Sequence, residues 1–253
     1  MEKVKLIRLA RSIIDEETNR KIILNKHEEY FADPTKDFFI KKLKIPKETL
    51  QQPGKHQIGK DTIIIHKPFF IDTFTNLKKV AQTITQKDIA TIIAFAGITK
   101  ESKIIDAGLG SASLAGYLAK IAKQVVSYEI NPRHLKQAQK NLDLLGSKIT
   151  IKQESIYEAN PKQEFDVFTL DVPQPWNALK TADKALKQGG YLVSYSPNLT
   201  QTQKVIANLP PNFVHENTIE TINRYWHIDE KRLRPKTQDF SHTAFISFIR
   251  KVY

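Results

Sequence analysis

Three short constellations in this 253-residue chain carry residue types whose spacing could do chemistry. The first is Asp106-Ala107-Gly108-Leu109-Gly110-Ser111-Ala112-Ser113, placed after an apolar run and before helical spacing. Gly108 permits a tight turn, and Gly110 lets a ligand approach the main chain where a Cβ would obstruct it. The second is Glu129, which ends the next apolar run 19 residues after Gly110. At that spacing an acidic side chain meets the ribose hydroxyls of a bound nucleotide. A pyrophosphate-binding GxGxxG loop would need glycine where Ser113 stands, so a dinucleotide is not favoured. S-adenosylmethionine carries no phosphate and suits a GxG loop followed by an acidic clamp. The third constellation is Leu170-Asp171-Val172-Pro173-Gln174-Pro175-Trp176, a carboxylate followed by two backbone-fixing prolines and a flat aromatic face. Each has a plain alternative: a strand-to-helix turn, a solvated strand-end charge, or a helix cap beside a core tryptophan.

The elements that must position these residues follow from periodicity. After Ser102, strands are expected at Lys103 to Ala107, Val125 to Tyr128, Ile149 to Ile151, Phe165 to Leu170, Tyr191 to Tyr195, Phe213 to Ile222 and Thr243 to Ile249. Helical spacing covers Ser111 to Ala122 and Pro132 to Leu145. Strands alternating with helices predict a doubly wound α/β fold with a mostly parallel seven-stranded sheet. The last two strands have no helix between them and are expected to pair antiparallel, giving an antiparallel edge strand. Asp171 then sits at the carboxyl end of the fourth strand, where open α/β sheets bind ligands. Residues 1–66 carry short β-like runs at Val4 to Leu9, Lys21 to Leu24 and Thr62 to Ile65, and are expected to form a small, mostly β domain. Residues 67–253 form the second domain, with 67–97 as a helical lead-in.

Charge is unevenly distributed. The net charge is +12, but residues 98–220 hold 14 basic against 12 acidic groups, and the excess lies in the flanks. A nearly neutral middle with basic ends fits a small-molecule site flanked by surfaces for a polyanion. Arg224, Lys231, Arg232, Arg234 and Lys236 make one basic set, and Lys41, Lys42, Lys44 and Lys47 another. There is no cysteine, which removes thiol chemistry and disulfides, and the seven histidines show no ligand-like spacing, so no metal is expected. The Met1 end lacks an apolar core of signal-peptide length, and a cytoplasmic protein without a membrane segment is expected.

Together, Asp106 to Ser113, Glu129, Leu170 to Trp176 and Ser194-Tyr195-Ser196-Pro197 resemble the TrmI family, class I methyltransferases with a Rossmann-like fold that modify N1 of adenosine in the tRNA T-loop. The likeness continues through Gln82 to Asp88, Arg224-Tyr225-Trp226, Arg232 to Pro235 and Ser241 to Phe245. It implies a tRNA partner, modification at position 58 alone or with 57, and a homotetramer. Cofactor contacts would come from Gln82, Asp106, Gly108, Leu109, Gly110 and Ser111, then Ala112, Ser113, Glu129, Glu154, Ser155 and Asp171. Asp171 would also be the catalytic residue at the target adenine. Pro173, Trp176, Tyr195, Arg224, Arg232, Arg234 and His242 would meet the RNA, with Trp176 and Tyr195 as stacking candidates and His242 leaning toward a structural role. Three departures stand out. Ser155, preceded by Glu154, replaces an aspartate usual at the cofactor's adenine, Thr85-Gln86 replaces a tyrosine-proline pair, and Ala112 replaces a third loop glycine. The rival readings are a methyltransferase of the same fold with another acceptor, such as an isoaspartyl protein or a tetrapyrrole, and a catalytically silent tRNA-binding subunit.

Overall fold

The computed structural model describes residues 3–229, 232–237 and 242–253. The chain divides into two compact units, Met1–Asn76 and Leu77–Tyr253. In the first, an antiparallel sheet carries the strands Glu28–Ala32, Val4–Arg8, Asp61–His66 and Gly54–Ile58, in that order. Ile63 and Ile65 alternate inward from the third of these and join Leu6, Ile40, Ile45 and Leu50 in a small core. Two hairpins, Arg11–Ile14 with Lys21–Asn25 and Phe38–Ile40 with Leu43–Ile45, complete the β structure. Strands such as Glu28–Ala32 and Gly54–Ile58 carry too little apolar alternation to stand out in the sequence. The helix Phe70–Thr75 closes this unit, and its Asp72 meets the Lys5 ammonium at 2.5 Å.

Seven strands make the sheet of the second unit. Their order is Thr150–Lys152, Gln124–Tyr128, Lys103–Ala107, Phe165–Leu170, Leu186–Ser196, Phe245–Lys251 and Phe213–Glu220. The first five are mutually parallel, and the last two pair antiparallel at one edge, as expected. The reversed strand, Phe245–Lys251, is second from the edge, because it inserts between Leu186–Ser196 and Phe213–Glu220. Phe165, Val167, Phe168 and Leu170 are all buried, as a central parallel strand covered on both faces requires. The helix Pro132–Leu145 takes the predicted bounds. Asn131 accepts the Arg133 N–H at 2.9 Å, proline occupies the first turn, and Gly146 ends the helix at φ +59°. Among the described residues no helix is long and apolar enough to cross a membrane.

The helical lead-in differs from expectation. Residues 77–85 run as irregular chain before the helix Gln86–Phe95. Their polar main-chain groups are met from outside. The fully buried Asn141 amide donates to the carbonyls of Lys78 and Ser111, both at 2.9 Å, and the Val80 N–H donates to the Ser111 hydroxyl at 3.0 Å. Leu186–Ser196 also begins earlier than expected, with Gly189 at φ +79° and a register shift opposite Phe165 to Val167. A Cβ on Gly190 would lie 2.9 Å from the carbonyl oxygens of both Asp166 and Lys187. Gly190→Ala is therefore expected to cost about 1–3 kcal/mol of stability, read from the urea unfolding midpoint; an unchanged midpoint would show that the bulge relaxes freely.

Candidate functional site

The carboxyl ends of the parallel strands are in register. Ala107 pairs with Tyr128 on one side and Leu170 on the other, and Leu170 pairs with Ser194. The loops that follow therefore open on one cavity of about 610 Å³, within the range of small-molecule sites. The Gly108 and Leu109 N–H groups donate to the Tyr128 carbonyl, at 3.1 and 3.3 Å, and the Asp171 N–H donates to the Ala107 carbonyl at 2.8 Å. These bonds draw the glycine loop against the exit of the neighbouring strand. Gly108 has φ +90°, and a Cβ there would lie 1.9 Å from the Asp171 carbonyl oxygen. Its close approach is thus to the protein's own main chain, a constraint beyond the tight turn that the sequence predicts. Gly110, at φ +52°, would bring a Cβ only into ordinary van der Waals contact, 3.7 Å from the Ala81 Cβ, so its requirement is conformational.

Glu129 clamps the loop. One carboxylate oxygen accepts the N–H groups of Ile130 and Asn131 at 2.9 and 2.8 Å. The other accepts the Gly110 N–H at 3.1 Å and lies 3.3 Å from the His134 ring. Asp106, at the floor, accepts from the Ser127 hydroxyl at 2.5 Å and the Thr169 hydroxyl at 2.8 Å. Burial raises its pKa to about 6 against the pull of those hydroxyls, with Glu129 adding repulsion. Asp171 is pushed up further, to about 7, by burial first and by the charge of Asp106 second. No hydrogen bond or ion pair reaches its carboxylate among the described residues. A perturbed, unpaired acid facing a cavity is available to a ligand that brings positive charge or an N–H donor.

Most predicted cofactor residues meet at this cavity. Gln82, Asp106, Gly108, Leu109, Gly110, Ser111, Ser113, Glu129, Glu154, Ser155 and Asp171 line it, while Ala112 is fully buried, in the left-handed turn (φ +59°) that starts the helix Ser113–Leu118. The Ser155 hydroxyl accepts the Tyr157 N–H at 3.3 Å. Of the residues expected to meet RNA, Pro173 and Tyr195 line the cavity. Trp176 does not. The short 3₁₀ turn Pro175–Ala178 directs it onto the core, with the Lys204 ammonium 4.9 Å from its ring centre. Arg224, Arg232 and Arg234 also lie away from the cavity, on or beside an exposed hairpin, Trp226–Ile228 with Leu233–Pro235. There Arg224 sits 5.6 Å from the Trp226 ring centre, and the Arg232 guanidinium meets Asp229 at 2.7 Å. His242 bridges Glu220 at 2.6 Å and the Pro197 carbonyl at 2.8 Å, and Glu220 above all raises its pKa. Lys231 and Ser241 lie outside the described residues. Sequence reasoning misses His134, in the first turn of the helix that follows Glu129, and Gln201, whose amide donates to the Pro173 carbonyl at 2.9 Å.

The chemistry of the lining fits a nucleoside that carries a positive charge. The cavity is mostly apolar, its ionisable lining includes Asp106, Glu129, Glu154 and Asp171, and among the described residues no lysine or arginine lines it. This strand order, with a GxG loop after the first strand of the sheet domain and an acid ending the second, defines a class I methyltransferase domain, a class that uses S-adenosylmethionine. Residues 72–246 match the model of the family described as tRNA methyltransferase complex GCD14 subunit, and the chain belongs to that family. Among its relatives, a tRNA (adenine(57)-N(1)/adenine(58)-N(1))-methyltransferase TrmI of Methanocaldococcus jannaschii is 28% identical, over 95% of this chain and 95% of its own. A tRNA (adenine(58)-N(1))-methyltransferase TrmI of Thermus thermophilus is also 28% identical, over 82% of this chain and 86% of its own. Of solved structures, an S-adenosylmethionine-dependent O-methyltransferase of Thermotoga maritima superposes with TM-score 0.83 at 26% identity, over 98% of this chain and 93% of that one. The fold is shared with a tRNA (m1A58) methyltransferase TrmI of Aquifex aeolicus, TM-score 0.79 at 23% identity, over 98% and 97%.

Two outcomes follow from this geometry. Gly108→Ala forces main-chain atoms apart and is expected to weaken cofactor binding by at least about tenfold, measured by calorimetry. Unchanged affinity would show that the loop and Asp171 can separate at no cost. Asp171 and Asp106 hold protons in the folded state that the unfolded chain releases, so without ligand stability falls as pH rises from about 4 through about 7. Asp171→Asn should flatten that slope and raise the melting temperature at alkaline pH, as scanning calorimetry would show; an unchanged slope would mean that Asp171 ionises freely.

Proposed function

We propose that this chain transfers a methyl group from S-adenosylmethionine to N1 of an adenosine in the tRNA T-loop, at position 58 alone or with 57. The observation that carries the reading is the unpaired Asp171 carboxylate, set in the cavity beside the glycine loop. S-adenosylmethionine supplies an electrophilic methyl on a sulfonium centre. Gly108 and Gly110 border the methionine end, Glu129 the ribose, and Glu154 with Ser155 the adenine. The target N1 has its lone pair free near neutral pH, so no base must first remove a proton. That lone pair forms the new N–C bond as the C–S bond breaks, the electron pair stays on sulfur, and positive charge passes to the purine. In-line positioning governs such a step. Asp171, accepting from the exocyclic amino group, stabilises the charge as it develops. N1 faces a pairing partner in folded RNA, so the base must be extruded to enter.

The basic surfaces fit the rest of the substrate. The exposed Arg232 and Arg234 and the lysines at 41, 42, 44 and 47 would meet phosphates, which makes affinity fall steeply with salt. Placing tRNA contacts on the first 66 residues is part of the same proposal, as are a homotetramer held without disulfides and a cytoplasmic site of action. A hydroxyl acceptor is the second reading, favoured by the O-methyltransferase likeness, since Asp171 at about 7 could also take a hydroxyl proton. Asp171→Ala should lower the single-turnover methyl-transfer rate on unmodified tRNA by about 10²–10³-fold while cofactor affinity stays within about twofold. Comparable loss of both would move Asp171 out of the acceptor site.

A further inference from the structure

The QTITQKD segment contributes a charged group that the reaction above does not use. Asp88, in the first turn of the helix Gln86–Phe95, is fully buried. One carboxylate oxygen meets the Lys87 ammonium at 2.8 Å, and that ammonium also donates to the Thr243 hydroxyl at 2.5 Å. The other oxygen accepts from the Thr85 hydroxyl at 2.8 Å and from the Tyr195 hydroxyl at 3.1 Å. Tyr195 follows Ser194, which pairs with Leu170, so Tyr195 and Asp171 are the next residues on adjacent parallel strands. Tyr195 lines the cavity, whereas Asp88 does not. The hydroxyl is therefore consumed inside the protein, and Tyr195 offers the cavity its ring.

We propose that Asp88 is a positioning residue: it turns the Tyr195 hydroxyl inward, so that the ring face supports the acceptor purine opposite the charge it acquires. This rests on the adenosine-N1 reading of the site. Burying an ion pair is seldom the cheapest way to join a helix to a strand, and an apolar trio of the same volume would hold at least as well. What the carboxylate adds is electrostatic. A phenol that donates to a carboxylate has a more electron-rich ring, and the burial and charge that raise the Tyr195 pKa keep the hydroxyl protonated. Methylation at N1 leaves the purine a cation, and an aromatic face within about 6 Å attracts a cation. Asp171 and the Tyr195 ring then act on one developing charge from adjacent strands.

The test is a double-mutant cycle on the full chain with Asp88→Asn, Tyr195→Phe and both, read two ways. Calorimetry with cofactor product bound compares 1-methyladenosine, a cation at neutral pH, with neutral adenosine. Wild type should prefer the cation, each single variant should lose about tenfold of that preference, and the double variant should lose no more than either. Single-turnover methyl transfer to tRNA should fall in parallel, with cofactor affinity unchanged. No cation preference in wild type, a wild-type Tyr195→Phe, or losses that multiply in the double variant would each overturn the proposal. If Asp88→Asn does not fold, Tyr195→Phe removes the same hydrogen bond from the other side and decides alone. A wild-type enzyme that leaves tRNA without 1-methyladenosine defeats the acceptor reading instead, and the binding arm still reports on Asp88.

Discussion

Between residue 108 and the carbonyl of Asp171 there is no room for a side chain. The Asp171 N–H is bonded to the Ala107 carbonyl while the Gly108 N–H is bonded to Tyr128, so three strand exits are drawn into one rim. That main-chain contact sets where every functional group points. It brings the glycine loop alongside Asp171, leaves the Gly110 N–H for Glu129, and lets the loops after the second and fourth parallel strands close the cavity walls. Spacing in the sequence becomes chemistry through register: Ala107, Tyr128 and Leu170 are aligned, and each is followed by a residue that matters.

The charges are sorted to match. A chain of net charge +12 builds a cavity whose lining includes four carboxyl groups and, among the described residues, no lysine or arginine. Burying acids costs stability, and burial first, with the charge of a neighbouring acid second, raises the pKa values of Asp106 and Asp171. Such a pocket favours a cationic ligand and a reaction that moves positive charge. The basic residues stay outside, where a polyanion can meet them without entering. One molecule can thus attract RNA over its surface and a sulfonium into its interior.

Strand-end motifs were legible in the sequence because each residue type there answers a backbone or charge requirement. Gly108, Gly110, Glu129 and Asp171 all line the cavity, and the helix Pro132–Leu145 begins and ends on its proline and glycine signals. Tertiary facts were not legible. Trp176 reads as a stacking face, but the 3₁₀ turn after Gln174 rotates it to the core. Residues 77–85 look helical because Leu77 and Ile84 face the interior, yet their main-chain partners are Asn141 and Ser111, which no local pattern reveals. Asp88 reads as an ordinary first-turn acid until Tyr195, 107 residues away, is found bonded to it.

The most direct measurement is nucleoside mass spectrometry of an unmodified tRNA transcript after incubation with the protein and S-adenosylmethionine, beside a transcript in which the adenosine at T-loop position 58 is replaced by guanosine. The account predicts 1-methyladenosine in the first, its loss or marked reduction in the second, and a far smaller yield from Asp171→Ala over the same time. A different methylated nucleoside, or none from the wild-type chain, would contradict it.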